Sequence, residues 1–283
     1  KGRYGGALTQ TDTDKTLTVE NTTFEDNEAI FGAAIYDNEG SLVVKDCKFY
    51  NNTGIGPGSA GTSSSQGGAI LVMGEAAADI SGSEFINNTA DLGGAVAISS
   101  GATGTFTIDN CDFIENTANN YGGAIYQYTD ESSIVISDSD FTKNLAIAGG
   151  AIFTSVGGEL AVEDSTFTEN EAAANNLGGA IYTQSDASVT GSTFTDNVGA
   201  GYGNALFSQI AGTTLVWSQN TVTGNDGKAQ VRTQSGVILE SPLKVKILNN
   251  DTVNIHMAPY NITAVVTDDM DNVIINLAFR FKV

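Results

Sequence analysis

Cysteine, proline, histidine and basic residues are all scarce in this 283-residue chain. Two cysteines cannot build a disulfide framework, so the fold has to be held by its own core. Three prolines against 33 glycines point to many tight turns and to no proline-rich linker. The single histidine, His256, leaves no material for a catalytic triad or a His-based metal site. No stretch approaches ~18 uninterrupted apolar residues, so nothing reads as a membrane span. The opening Lys1-Gly2-Arg3-Tyr4-Gly5-Gly6 lacks the apolar run of a signal peptide. A secreted form is therefore expected to be processed or excised, and both ends read as cut from a longer chain.

Lysine and arginine number 12 against 33 acids, a formal charge of -21. Residues 237–283 hold five acids and four bases, so -20 of that charge falls on residues 1–236. Such a surface is solvated and repels nucleic acid and anionic membrane, which removes both from the expected partners.

What the chain has in abundance is self-similarity. A Phe-x-x-Asn unit recurs at Phe24/Asn27, Phe49/Asn52, Phe85/Asn88, Phe113/Asn116, Phe141/Asn144, Phe167/Asn170 and Phe194/Asn197, with Val222/Asn225 as a degenerate eighth copy. Between these stand Gly-Gly-Ala-Ile units at Gly67–Ile70, Gly122–Ile125, Gly149–Ile152 and Gly178–Ile181, with variants at Gly5–Leu8, Gly32–Ile35, Gly93–Val96 and Gly203–Leu206. Successive Phe positions lie 25, 36, 28, 28, 26 and 27 residues apart, which is solenoid spacing.

The residues leading into each Phe choose strand over helix. Five positions before it stand Val19, Val44, Ile80, Ile108, Ile136, Val162 and Val189, all β-branched. Seven before it every residue is apolar, and four before it every residue is polar. That alternation, with β-branched enrichment, predicts a strand with one buried face. One such strand per turn, one beginning at Gly-Gly-Ala-Ile and a short one at Phe-x-x-Asn predict an all-β parallel solenoid of about eight coils. In it the Phe column stacks inside and the Asn column forms a ladder at a turn.

The paired motifs resemble the repeats of the polymorphic outer-membrane proteins of chlamydiae and of the adhesin-like surface proteins of methanogenic archaea. The similarity covers roughly residues 1–230. It implies a right-handed parallel β-helix displayed at a cell surface and associated with adhesion. Residues 237–283 lose the repeat and read as alternating strands. There Thr263–Asp268 looks like the opening of the bacterial Ig-like repeats that follow β-helices in methanogen adhesin-like proteins. The expected domains are thus a β-helix over 1–236 and the start of an Ig-like β-sandwich, truncated, over 237–283.

Parallel β-helices also carry polysaccharide-cleaving enzymes, so chemistry has to be looked for residue by residue. Uronate lyases need a strong base beside a carboxylate-held Ca²⁺, yet Arg3, Arg232 and Arg280 all lie outside the central coils. Lys143 shares its column with Asp26, Asn51, Asn87, Glu115, Glu169 and Asp196, the vocabulary of an exposed turn. Asp46, Asp138 and Asp164 share another with Asn21, Gly82, Asn110 and Gly191, which breaks any continuous row of carboxylates. No catalytic residue and no cofactor is assigned; a Ca²⁺ site from stacked carboxylates stays open, although no EF-hand loop is present. Cys47 and Cys111 lie two residues before a motif Phe, in a column otherwise Ser or Thr and two coils apart. They are expected to be unpaired thiols.

Three features could carry recognition. The column after Gly-Gly-Ala-Ile holds Tyr36, Tyr126, Phe153, Tyr182 and Phe207; facing outward it would make a stripe for sugar rings, and facing inward it would be core. The gap from Phe49 to the next Gly-Gly is 18 residues, and its excess, including Gly54, Ile55, Pro57, Ser63 and Ser64, predicts a loop that is either a contact surface or a passive insertion. Sequons occur at Asn21, Asn51, Asn87, Asn250 and Asn261, of which Asn51, Asn87 and Asn261 are the candidate glycan acceptors. The expectation is a non-enzymatic, extracellular adhesin segment offering its flank to other cells or surface glycans and proteins. A polysaccharide-active enzyme or carbohydrate-binding module, and a passive spacer, are the alternatives.

Overall fold

The structure is a computed structural model that describes residues 2–56, 64–129, 131–199, 203–224 and 230–240, of which 174–176 by backbone only. Beyond these it describes the backbone of three short strands, at 244–247, 264–267 and 274–275. Short strands are the rule, and no helix among the described residues is long and apolar enough to cross a membrane.

The Phe-x-x-Asn units form one eight-stranded parallel sheet, from Thr23–Glu25 through Lys48–Tyr50, Glu84–Ile86, Asp112–Ile114, Asp140–Thr142, Thr166–Thr168 and Thr193–Thr195 to Thr221–Thr223. Each motif Phe pairs in register with the next. Their rings stack at 4.7–5.0 Å, with planes within 5° of parallel. The eight coils expected from the repeat are all present in this sheet.

Two left-handed residues bracket each three-residue Phe strand and make its corners. The leading corner is Asn21, Asp46, Gly82, Asn110, Asp138, Asp164, Gly191 and Gln219, and all have positive φ. The trailing corner is Asp26, Asn51, Asn87, Glu115, Lys143, Glu169, Asp196 and Gly224, again all with positive φ. Asn, Asp and Gly dominate both columns because they tolerate this backbone region best. A polar ladder follows each corner. After the second, Asn88 accepts from the backbone N–H and the side-chain amide of Asn52, and donates to the Phe49 carbonyl and to Asn116 Oδ1, all within 3.0 Å. The same set repeats through Asn116, Asn144 and Asn170, so the buried amides have their capacity filled.

The other two walls begin at the trailing Asn and at Gly-Gly. Residues after each Asn, such as Thr117–Tyr121 and Leu145–Ala148, form a second eight-stranded sheet. The paired glycines then turn the chain: Gly122 has φ of 65°, and a Cβ on Gly123 would lie 2.0 Å from the Gly150 carbonyl oxygen of the next coil. The third wall carries two strands per coil, for example Ile125–Gln127 and Ser133–Ser137. Most coils therefore have four strands rather than three. In two coils the pair is fused into the single strands Ile35–Lys45 and Ile70–Ser81.

Stacking continues past the last Phe-type strand. Val231–Thr233 pairs in parallel with Leu206–Ser208, and Ile238–Glu240 pairs with Thr214–Ser218, so the coil register reaches Glu240. Of the tail, Lys244–Ile247 and Ala264–Thr267 pair antiparallel, and Ile274–Ile275 pairs in parallel with Val231–Thr233. The remainder of the expected Ig-like segment, His256 and the sequons at Asn250 and Asn261 lie outside the described residues.

Candidate recognition wall

The aromatic column after Gly-Gly-Ala-Ile is neither interior core nor an open stripe. Ile125 points into the main core, so Tyr126, next along the strand, points out. The glycine corner brings the end of the preceding wall over it, and a second, external core results. Tyr36, Leu71, Ala97, Tyr126, Phe153, Tyr182 and Phe207 are buried there together with Ala148, against Phe31, Met73, Leu92 and Leu177. Of the two facings left open for the five aromatics, the column points away from the main core but does not form an open stripe: the rings are covered by Phe31, Leu92, Ala148 and Leu177, which precede the corner glycines.

Other rings at the same corner reach solvent. Tyr121 lies 4.8 Å from Phe153 and 6.4 Å from Tyr126, in stacked orientations, and stays 40% exposed. Tyr128 lies 6.3 Å from Tyr126 with ring planes 3° apart, and is 58% exposed. Burial pushes the hydroxyl of Tyr126 well above the usual phenol range, with the neighbouring Tyr128 and Tyr121 adding to the shift. The corner therefore combines neutral, fixed rings below with two open rings above.

Beside Tyr128 a cleft of about 340 Å³ is lined by Ser100, Gly101, Tyr128, Thr129, Ser155, Val156 and Gln184. These residues come from the loops between the two strands of the third wall, in four successive coils. Gln184 Nε2 donates to Tyr182 Oη at 3.0 Å and to Gln209 Oε1 at 2.6 Å, and Tyr182 Oη also donates to Gln209 Oε1. Thr129 is tied down by its hydroxyl, which donates to the Ala102 carbonyl at 2.7 Å. A second depression, of about 410 Å³, lies on the outer face of the strands leading to Phe, where Ala161 and Ser188 are small beside Val135 and Val216. It carries Glu159 and Asp186 at its edge.

The expected contact loop is firmly rooted. Thr53–Gly54 pairs with the neighbouring coil and the Ile55 N–H donates to the Ala29 carbonyl. On the return, Ser65 is buried and gives both its N–H and its hydroxyl to Asp91 Oδ2, at 2.8 and 3.0 Å. Burial raises the Asp91 carboxyl, but donors on Asn119 and Ser65 outweigh it and hold the group below its ordinary range. Gly54 and Ile55 are half-buried and Ser64 is exposed; Pro57 and Ser63 lie outside the described residues. The excess emerges from the same wall that carries Tyr121.

Asn51 and Asn87 are exposed at the trailing corner, and Asn87 Nδ2 donates to Asn51 Oδ1 at 2.8 Å. Asn21 is exposed at the leading corner, while the ladder residue Asn27 is half-buried and Asn52, Asn88, Asn116, Asn144, Asn170 and Asn197 are buried. The carboxylates considered for chemistry, Asp46, Asp138 and Asp164, are exposed left-handed turn residues; Gly82 and Asn110 separate the first from the other two, which stand in neighbouring coils. Lys143 is the trailing-corner residue of its coil and lies 3.7 Å from Glu169. Among the described residues no three His, Cys, Asp or Glu side chains converge as a metal site.

Cys47 and Cys111 are buried members of the ladder after the leading corner, with Ser83 between their coils. Cys47 N–H donates to Ser83 Oγ and Cys111 N–H to Ser139 Oγ, and each thiol faces backbone carbonyls. Desolvation pushes the Cys111 thiol up to about 12.

Sequence reasoning missed Tyr121, Tyr128 and Asp37. Tyr128 is the one ring in a row with Ser99, Ser155 and Gln184, and Tyr121 shares its column with Tyr4 and Phe31 but also with Gln66, Leu92, Ala148 and Leu177, so periodicity singles out neither. Asp37 is fully buried, and both carboxylate oxygens lack a hydrogen-bond partner. It shares its inward column with Val72 and Ile98, where an alignment of the coils shows a lone acid.

A family model described as a right handed beta helix region matches residues 68–252. No curated protein and no solved structure matches the chain.

Proposed function

This chain belongs to the right-handed β-helix family, and on that footing we propose that it is a non-enzymatic segment of a cell-surface protein, extracellular in location. Its work is to act as a rigid stalk whose flank binds glycans or proteins on other cells. The observation that carries this reading is the pair of open rings, Tyr121 and Tyr128, seated on a buried aromatic layer. Exposed rings fixed by packing lose little freedom on stacking against a ligand, which makes them effective contact groups. The anchors of the insertion, Ile55 and Ser65, lie on the wall that carries Tyr121. The resemblance of the repeats to chlamydial polymorphic outer-membrane proteins and methanogen adhesin-like proteins points the same way. So does the strongly acidic exterior, which keeps a long solenoid soluble.

Support for a non-catalytic role comes from where the carboxylates sit. Hydrolysis of a glycosidic bond needs two of them held at a defined separation across the substrate. Here Asp46, Asp138 and Asp164 are exposed corner residues, with Asp138 and Asp164 in neighbouring coils, and none of the three lines the cleft beside Tyr128. The test is retention of the purified chain on a panel of whole cells and insoluble polysaccharides, with Ca²⁺ present and absent. The supernatants are assayed for new reducing or unsaturated sugar ends. Retention without new ends is expected; new ends would establish an enzyme, and no retention on any surface would leave only the spacer.

A further inference from the structure

We infer that the cleft beside Tyr128 takes an uncharged linear glycan lying parallel to the solenoid axis, the Tyr128 ring stacking on one sugar and the flanking coils bonding its neighbours. This rests on the reading of the flank as a glycan-binding surface and names the chemistry of one site on it.

The direction follows from register. Ile98, Gln127, Thr154 and Thr183 are successive partners in one column. The ladder runs one residue further, since the N–H groups of Tyr128, Ser155 and Gln184 donate to the carbonyls of Ile98, Gln127 and Thr154. Ser99, Tyr128, Ser155 and Gln184 therefore follow one another along the axis at the coil rise of ~4.8 Å. That rise is close to the advance per residue of an extended pyranose chain, so consecutive sugars meet consecutive coils. Tyr128 has a small serine on either side in this row and is 58% exposed, with Tyr126 in an offset stack at 6.3 Å.

The charge of the ligand follows from the lining. Apart from the phenol of Tyr128, the described lining residues present hydroxyls, an amide and Val156, with no carboxylate, lysine or arginine among them. No described lining residue would neutralise a uronate, and the excess of acid on residues 1–236 repels one. Hydroxyls and amides suit the hydroxyls of a neutral sugar, and Gln184 is already oriented by Tyr182 and Gln209.

Calorimetry with the full chain tests this. The probes are cello-, xylo-, manno- and chito-oligosaccharides of two to six sugars, with oligogalacturonates as the charged control. At least one neutral series should bind, tightening from two to four sugars and levelling off thereafter. Tyr128→Ala should weaken that series about tenfold with unchanged melting, whereas Tyr128→Trp should keep it. Equal binding of oligogalacturonate, no dependence on length, or an unaltered affinity in Tyr128→Ala would each overturn the assignment. If no neutral probe binds while the wild-type chain is still retained on cells, the site is wrong and the adhesive reading survives. If neither occurs, both fall.

Discussion

Trp217 lies 5.2 Å from Phe194, its ring tilted by 38°, and so ends the parallel stack of motif phenylalanines. Two columns exchange size here. Val222 stands where Phe is expected, and Trp217 stands where the preceding coils have Val189, Val162 and Ile136. The degenerate motif is thus repaired by the column beside it, and core volume is kept. Trp217→Val should leave a cavity and cost about 3–5 kcal/mol. Val222→Phe alone should overpack and cost about 1–3 kcal/mol. Together they should recover part of the loss, a coupling that a double-mutant cycle in urea would measure; strict additivity would refute the exchange.

The asparagine ladder offers a second test. Asn116 accepts two bonds from Asn88 and donates to Phe85 and Asn144. Asn116→Ala strips partners from buried groups in both neighbouring coils and should cost about 2–4 kcal/mol. At the half-buried first rung, Asn27→Ala should cost less. Thermal melts of the two variants would rank them, and an equal loss would show that ladder position does not matter.

Asp37 should make the first coils sensitive to pH. Burial raises its carboxyl to about 7, above the ordinary value of about 3.9 that the unfolded chain would show. A group raised on folding contributes its stability below the unfolded value and loses it as pH climbs through the folded one. Wild type should therefore lose stability relative to Asp37→Asn between pH 4 and pH 8. Asp37→Val, which copies Val72 of the next coil, should melt higher than wild type at pH 8. Melting curves of the three proteins across that range decide it; parallel pH profiles would place Asp37 in contact with solvent.

The two thiols should be silent. Native protein with excess thiol reagent at pH 8 should react only as fast as it unfolds, since burial pushes both thiols upward. Cys111→Ser should fold normally, because Ser139 and Ser165 already fill that ladder position in later coils. Rapid labelling of the native chain would contradict the ladder.

Much of this architecture is readable from single columns of residues. The β-branched residues Val44, Ile80 and Ile108, the Phe stack and the buried Asn ladder each repeat often enough for period alone to place them. The candidate site is less legible for a physical reason. Alternation puts Tyr126 outside the main core, but only the tertiary path of the glycine corner decides whether outside means solvent. Tyr128 is aromatic in a row otherwise Ser and Gln, and the column of Tyr121 mixes Tyr4 and Phe31 with Gln66, Leu92 and Ala148, so neither shows the regular repetition that made the rest visible. Asp37 is a lone acid in a mixed column that also holds Gln10, Val72, Ile98, Gln127 and Thr154, and such a column does not tell a buried acid from a loop residue.

The adhesive flank is tested most directly by comparing wild type with the Tyr121→Ala/Tyr128→Ala double variant on the surfaces that retain the wild-type chain. Tyr128 is largely exposed but Tyr121 also covers Phe153, so the variant should melt somewhat lower than wild type and is compared where both are folded. The expected result is loss of retention, with no new sugar ends from either protein. Full retention of a folded double variant, or sugar ends released by wild type, would contradict the proposed role.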